Sequence, residues 1–212
     1  MIALYGGTFD PIHEGHLAAA RAAIRLLCVP SVRLVVAAQP YHKREGERVT
    51  PDSARYEMVR LACAGEPGLI ADDSELGRTR PSFTVELLER RASDQPDERR
   101  VWLIGTDAFA EVLTWHRVAD VFARTGFLVF RRAGHVWQPS SALSTFLRGR
   151  ETTAFGDDPH GRVCFVNEPL PAVSSTQVRA RVARGESIAG LVPAQVSTYI
   201  REQHLYETTG SE

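Results

Sequence analysis

Residues 6–16, GGTFDPIHEGH, follow a short apolar run and contain the residue types of an anion site. Gly6 and Gly7 lack side chains, so a ligand can approach the backbone closely there. Thr8 and Phe9 come next and can direct amide N–H groups toward that ligand. We therefore interpret this string as a loop that binds phosphate.

His13 and His16 stand three residues apart, where the next helix is predicted to begin. Residues at this spacing lie on one face of a helix, and a helix N-terminus favours anions. The pair could instead bind zinc, or it could have only a structural role. However, Glu14 is the only carboxylate between them, and the spacing indicates no third ligand. The preferred hypothesis is that both imidazoles contact a triphosphate.

A second string of hydroxyl and basic residues, 173–179, lies far along the chain. Ser174 is a favourable N-cap residue, and Ser175 and Thr176 offer further donors to an anion at a helix start. Arg179 adds a guanidinium that keeps its charge at physiological pH. An ordinary capped helix with a solvated arginine is the alternative, but the presence of both strings favours a phosphate site.

Other candidate residues follow predicted strands. Lys43, the only lysine of the chain, comes beside His42 and is expected to meet a phosphate, unless it is a solvated loop residue. Asp107 follows Gly105 and is expected to accept hydrogen bonds from ribose hydroxyls. The alternative is an acidic residue that the helix dipole favours. Arg132 is a weaker phosphate candidate.

Strand-like and helix-like segments that could position these residues alternate along the chain. The predicted strands are residues 2–5, 32–38, 69–71, 101–104, 127–130 and 163–166. The predicted helices are residues 14–28, 51–64 after a Thr50 cap, 82–91 capped by Ser82, 108–124, 176–184 and 193–203. Residues 131–162 lack a clear period and are interpreted as a variable connection with one helix.

This alternation is typical of βαβ units, so the predicted fold class is α/β, a doubly wound Rossmann-like parallel sheet with C-terminal helices. Residues 1–212 are expected to form a single domain, and about 173–205 its C-terminal helical part with the second string. In such sheets, ligands bind outside the carboxyl ends of the strands. The candidate residues that follow strands are therefore predicted to converge at one edge.

Composition limits the function classes. The 25 basic and 26 acidic residues give a formal net charge of −1, which disfavours binding to nucleic acid or to an anionic membrane. No apolar run approaches the roughly 20 residues that span a bilayer, and no basic leader precedes the first strand. Three separated cysteines suggest reduced, mostly buried thiols. We predict a soluble cytoplasmic protein.

The string TFDPIHEGH is similar to the HxGH signature of the cytidylyltransferase-like nucleotidyltransferases. Their second signature, ISSTxIR, resembles VSSTQVR at residues 173–179. Two signatures in the right order are far more specific than either alone. The resemblance implies the nucleotidyltransferase fold and catalytic roles for His13, His16, Lys43 and Arg179.

Within that superfamily, the chain resembles the bacterial nicotinate mononucleotide adenylyltransferases over nearly its whole length. The similar blocks are residues 40–43, 80–84, 104–107 and 114–116. The family usually has two prolines before the histidine of the first block, where this chain has Tyr41. It often has an aromatic residue where this chain has His116.

The resemblance implies that a pyridine ring stacks on Trp115, which adds on the order of 1 kcal/mol beyond burial. The alternative is that Trp115 belongs to the core. Thr84 and the amides near it and near His116 are expected to hold the nicotinate carboxylate.

The activity implied by the resemblance is transfer of AMP from ATP to nicotinate mononucleotide. Mg²⁺ is expected to be held mainly by the ATP phosphates, without a dedicated metal site in the protein. Expected partners are the two substrates, neither nucleic acid nor membrane, and a homo-oligomer is compatible with the sequence. The alternatives are a nicotinamide mononucleotide or phosphopantetheine acceptor, or a nucleotide sensor without catalysis.

Overall fold

The computed structural model describes residues 1–40, 49–131 and 137–207. In these residues, one sheet of six strands has the order β3-β2-β1-β4-β5-β6, and neighbouring strands pair in parallel. The strands are β1 Ile2–Gly7, β2 Val32–Val36, β3 Leu69–Asp72, β4 Arg100–Gly105, β5 Gly126–Phe130 and β6 Val163–Val166. The predicted doubly wound α/β fold is confirmed.

Helices connect these strands in the described part of the chain. They are α1 Glu14–Leu27, α2 Asp52–Cys63, α3 Thr84–Asp94, α4 Thr106–Phe109, α5 Val118–Phe122, α6 Ser141–Leu147, α7 Ser175–Ala183 and α8 Ala194–Glu202. The helix expected within residues 131–162 is therefore present as α6. None of the helices that the structure describes is long and apolar enough to cross a membrane.

The sheet separates two apolar layers. Because side chains alternate along a strand, Ala3 belongs to the layer that α1, α2 and α8 cover, while Leu4 belongs to the layer that α3 and α6 cover. The middle strands carry apolar residues on both faces, and all of β5 is buried. This double burial explains the continuous apolar runs in the sequence.

The strand order reverses between β1 and β4, which pair from Ile2 opposite Arg100 to Leu4 opposite Trp102. β2 pairs with the other side of β1, from Ala3 opposite Val32. The connections that leave β1 and β4 therefore diverge at their carboxyl ends, which opens a crevice there. The strands that carry the first string and the Gly105–Asp107 block border this crevice.

Two predicted helix caps were wrong, and both helices begin one or two residues later than expected. α2 begins at Asp52 with Pro51 as its N-cap residue, so Thr50 does not cap it. α3 begins at Thr84, and Ser82 does not cap it, because Ser82 pairs with the chain that follows β2. Its N–H donates to Gln39 O at 3.0 Å, and its hydroxyl accepts from Gln39 N at 3.4 Å.

The helix predicted over residues 108–124 is interrupted. α4 ends at Phe109, a 3₁₀ turn spans Val112–Thr114, and α5 begins only at Val118. Trp115 is extended at the end of the 3₁₀ turn, and Arg117 has a positive φ of 52°. Trp115 lines the crevice from this interrupted segment.

The expectation that the cysteines are mostly buried was wrong for one of them. Cys28 is exposed, Cys63 is half-buried and Cys164 is buried. Burial raises the pKa of the Cys63 thiol from 9.0 to about 11, with a smaller contribution from the negative charge of Glu66.

This shift predicts a loss of stability at alkaline pH. The unfolded thiol of Cys63 ionises from pH 9.0, whereas the native thiol ionises only near about 11. The contribution of this thiol to the free energy of unfolding is therefore complete below pH 9.0. It is lost as the pH rises from 9.0 to about 11. Denaturant midpoints should fall more between about pH 8 and 10.5 in the wild type than in Cys63→Ala. An equal fall in both proteins would contradict the prediction.

Candidate active site

A cleft of about 900 Å³ opens at the carboxyl edge of the sheet. Its walls come from the ends of β1, β4 and β5, from the start of α1 and from the segment before α7. The predicted site residues that line it are Gly6, Gly7, Thr8, Phe9, His13, His16, Thr84, Gly105, Asp107, Trp115 and Ser174. Residues from distant parts of the sequence therefore meet in one cavity.

The two histidines form a stacked pair at the start of α1. His13 is the N-cap residue and is buried, and its ring lies 3.7 Å from that of His16, centroid to centroid, at 22°. The backbone N–H of His13 donates to His16 Nδ1 at 3.3 Å. An accepting Nδ1 carries no proton, so His16 can donate only from Nε2.

Aromatic side chains surround the ring of His16. Phe9 packs edge-on against it at 5.1 Å between centroids, and Tyr5 does so at 5.9 Å. The turn between the histidines is equally close-packed. A Cβ on Gly15 would lie 3.1 Å from His13 Cε1 and 3.3 Å from Pro171 O. A side chain at position 15 would therefore press on the ring of His13 and on the backbone of Pro171.

Packing inside the protein gives Gly6 and Gly7 a further reason to be glycine. A Cβ on Gly6 would overlap Trp102 Cζ2, and a Cβ on Gly7 would lie 2.9 Å from Phe9 Cζ. The protein's own aromatic rings therefore exclude side chains at these two positions, and the close approach of a ligand to this backbone stays a prediction. Gly105 differs, because a Cβ there would meet nothing within 4 Å.

This contrast predicts unequal losses of stability for two glycine substitutions in one cleft. Gly6→Ala should lower the free energy of unfolding by about 1–3 kcal/mol or more, because Trp102 must move. Gly105→Ala should change stability much less, because its methyl group points into open space. Denaturant unfolding of both variants checks this. Equal losses of stability would contradict the assignment of Gly6 to packing.

The second string, residues 173–179, is hydrogen-bonded to the first string, residues 6–16. Ser175 Oγ donates to Pro11 O at 2.9 Å, and Arg179 Nη1 donates to Asp10 O at 2.7 Å. Ser174 caps α7 as predicted, since its side chain accepts from Gln177 N at 3.1 Å. The start of α7 therefore lies against the loop that carries both histidines.

Some predicted residues lie beside the cleft rather than in its lining. Thr176 is exposed, Ser175 is half-buried with its hydroxyl on the loop, and Arg179 is half-buried. His116 is exposed, with its ring 4.5 Å from that of Phe83. The ligand-binding roles proposed for these residues stay predictions.

Trp115 is half-buried and lines the cleft. Its ring meets Trp102 edge-on at 6.4 Å and Phe127 at 6.1 Å between centroids. The side chain thus combines core contacts with a surface toward the cavity. Thr84 and Asp107 line the same cavity. Lys43 and Arg132 lie outside the described residues, so their roles also stay predictions.

The sequence interpretation missed Arg55, which is only 1% exposed. Arg55, Met58, Val59 and Ala62 are the buried residues of α2, at the spacing i, i+3, i+4 and i+7. That spacing defines one helix face. An arginine on an otherwise apolar face was therefore a usable signal for a buried charge with polar partners.

Carboxylates are few in the cleft. Asp107, Glu75 and Glu111 line it, and Glu75 pairs with Arg78 at 3.0 Å. Within residues 1–40, 49–131 and 137–207, no group of three or more His, Cys, Asp or Glu side chains could hold a metal ion.

The cytidylyltransferase-like family model matches residues 4–181. A probable nicotinate-nucleotide adenylyltransferase of Pseudomonas fluorescens is 38% identical over 208 residues, which cover 97% of this chain and 96% of that protein. One of Symbiobacterium thermophilum is 37% identical over 205 residues, with 97% and 94% covered.

A solved structure has the same fold. It is the Plasmodium falciparum nicotinic acid mononucleotide adenylyltransferase complexed with NaAD, which superposes with a TM-score of 0.73 at 17% identity. The superposition covers 97% of this chain and 96% of the other. The fold is thus shared at low identity, whereas the sequence relatives match at much higher identity along nearly the whole chain. The chain therefore belongs to the cytidylyltransferase-like family, together with these nicotinate-nucleotide adenylyltransferases.

Proposed function

We propose that this protein transfers AMP from ATP to nicotinate mononucleotide and releases pyrophosphate. The observation that carries the proposal is the convergence of His13, His16 and Ser174 with Trp115 and Asp107 in one cleft. The first group offers donors to a polyphosphate, and the second offers a ring surface and a ribose partner. Relatives named probable nicotinate-nucleotide adenylyltransferases support the same activity.

The reaction needs no protein nucleophile. A phosphate oxygen of the acceptor forms the new bond to the α-phosphorus of ATP. The bond between the α-phosphorus and the oxygen that bridges it to the β-phosphorus breaks. Pyrophosphate leaves with the bonding electrons. Because the attacking oxygen is already anionic, positioning and charge neutralisation suffice.

The chain's own residues would supply that neutralisation. His16 can donate from Nε2, since its Nδ1 accepts from the backbone of His13. We assign His16 the larger role in the transition state, and His13, Lys43 and Arg179 the binding of the polyphosphate. Thr8 and Phe9 would add donors from the loop after β1, which they share with the histidines.

The acceptor would occupy the other half of the cleft. Trp115 presents its ring to the pyridine, which gains stacking and, for a pyridinium, cation–π attraction. Asp107 is exposed in the first turn of α4 and lines the cleft, where it would accept hydrogen bonds from ribose hydroxyls. Thr84 begins α3 at the cleft wall and would face the nicotinate carboxylate.

Mg²⁺ fits this site as an ion bound to the substrate. The described residues hold no metal-binding cluster, and the Glu75 carboxylate is engaged by arginine. Mg²⁺ favours phosphate and water oxygens in such a setting, and it would neutralise the phosphates. Turnover should therefore fall to background after chelation and return when Mg²⁺ is added, while the unfolding temperature of the free protein does not change.

A pyrophosphate-release assay with ATP tests the function directly. The acceptor panel is nicotinate mononucleotide, nicotinamide mononucleotide and phosphopantetheine. We expect kcat/KM to be highest for nicotinate mononucleotide. A higher value for either other acceptor would instead identify a different adenylyltransferase. Tight binding of ATP without turnover of any acceptor would indicate a nucleotide sensor.

A further inference from the structure

Arg55 is buried between the loops that follow β1 and β2. Its Nη1 donates to Thr8 O and to Ala37 O, both at 2.8 Å. Its Nη2 donates to Ala38 O at 3.0 Å, and its Nε donates to Thr50 O at 2.7 Å. One guanidinium thus joins backbone groups from separate segments of the chain.

The joined segments border the cleft. Thr8 and Ala37 both line it, and Ala37 N also donates to Gly7 O at 3.0 Å. Ala38 and Thr50 stand on the two sides of the segment that contains Lys43. Arg55 therefore holds the loop that leads to the histidines against Ala38 and Thr50.

Asp10 connects the same loop to Tyr206, which follows α8 in the chain. It is 3% exposed, and its Oδ1 accepts from the Tyr206 hydroxyl at 2.7 Å. Its Oδ2 accepts from Thr50 N at 3.4 Å. Burial lowers the pKa of Arg55, while the negative charge of Asp10 opposes that shift. The buried charges of Asp10 and Arg55 thus stabilise each other within one network.

We propose that Arg55 and Tyr206 are positioning residues that hold the loop of Thr8, Phe9 and Asp10 in its catalytic geometry. Neither residue lines the cleft, so both act through backbone atoms and Asp10. The inference rests on the proposed function. Misplacement by about 1 Å far from the reacting atoms can lower a rate by about 10²-fold.

Arg55→Lys is the first test variant. Lysine keeps the charge, but its single nitrogen cannot reach carbonyls on both sides as the planar guanidinium does. Arg100→Lys is the matched control. Arg100 is 2% exposed and also donates to backbone carbonyls, to Arg91 O at 3.0 Å and to Gln95 O. It lies at the opposite end of β4, away from the cleft.

Tyr206→Phe is a milder second variant, which keeps the ring and removes the hydroxyl with its bond to Asp10 and its longer contact with Met58 Sδ at 4.0 Å. It keeps the inference testable if Arg55→Lys does not fold. For each protein we would measure kcat, the KM for ATP, the thermal midpoint and hydrogen exchange of the peptide that contains Thr8 to Asp10. All assays run well below the lowest thermal midpoint.

We expect kcat to fall by about 10- to 100-fold in Arg55→Lys and a few-fold in Tyr206→Phe, with the KM for ATP within about threefold. Exchange of the Thr8–Asp10 peptide should rise in both. Arg100→Lys should lose thermal stability while its kcat and the exchange of this peptide stay near wild type.

Two results would overturn the inference. One is a kcat near wild type in Tyr206→Phe and in folded Arg55→Lys. The other is an equal fall in Arg100→Lys, since the effect would then reflect stability alone. An inactive wild type is a different result, because it removes the proposed function and the catalytic inference together. If the wild type is active and the variants are unaffected, only the positioning role of Arg55 and Tyr206 is removed.

Discussion

His16→Ala should lower kcat by about 10²-fold or more while the protein stays folded, by analogy with the loss of one transition-state donor. His16 lines the cleft, and its Nδ1 is occupied by the backbone of His13, so Nε2 is the atom left to donate. The chemical step loses that donor, whereas the KM for ATP should change less. Steady-state pyrophosphate release measures both constants.

His160→Ala is the matched control for His16→Ala. His160 is half-buried outside the lining of the cleft, and its Nδ1 lies 3.2 Å from Asp158 Oδ1. Its kcat should stay within a few-fold of wild type. Circular dichroism and thermal unfolding establish that both variants fold. A His16→Ala enzyme with near-normal turnover would remove the central step of the proposed mechanism.

Arg179→Gln should raise the KM for ATP by about 10- to 100-fold, the loss of one hydrogen bond to a charged group. Glutamine removes the charge, and because it is shorter it also loses the bond that Arg179 Nη1 makes to Asp10 O at 2.7 Å. The bond of Ser175 Oγ to Pro11 O at 2.9 Å still holds α7 against the loop. The thermal midpoint should accordingly change little.

Arg181→Gln controls for the loss of a positive charge on the same helix. Arg181 Nη1 donates to Ser187 O at 3.0 Å, and its Nε lies 3.7 Å from a carboxylate oxygen of Glu186. Its KM for ATP should match the wild type. If Arg179→Gln also matches the wild type, Arg179 serves only to fasten the loop, and its assignment to the polyphosphate is wrong.

The sheet was predictable because each strand is encoded locally. The apolar runs at residues 127–130 and 163–166 match β5 and β6 within one residue, since buried parallel strands need apolar side chains on both faces. Alternation of strands with helices then implies parallel pairing. Helix starts were less accurate, because Ser82 is a favourable cap residue locally but forms its hydrogen bonds with Gln39.

The chemical character of the cleft was also largely contained in the sequence. The spacing of His13 and His16 placed both at the start of one helix, and Ser174 was predicted as the cap of another. Residues at the ends of parallel strands must share one edge of the sheet. For this reason, the meeting of Gly105 and Asp107 with the first string could be expected without coordinates.

Only the tertiary structure decided why particular residues are needed. Gly6 is required by Trp102, and the Arg179 guanidinium contacts Asp10, residues that are remote in sequence. Arg55 could be marked as a buried charge from its helix face, but its carbonyl partners could not be named. Backbone acceptors carry no side-chain signal, so the contacts between loops depend on how the strands and helices pack in three dimensions.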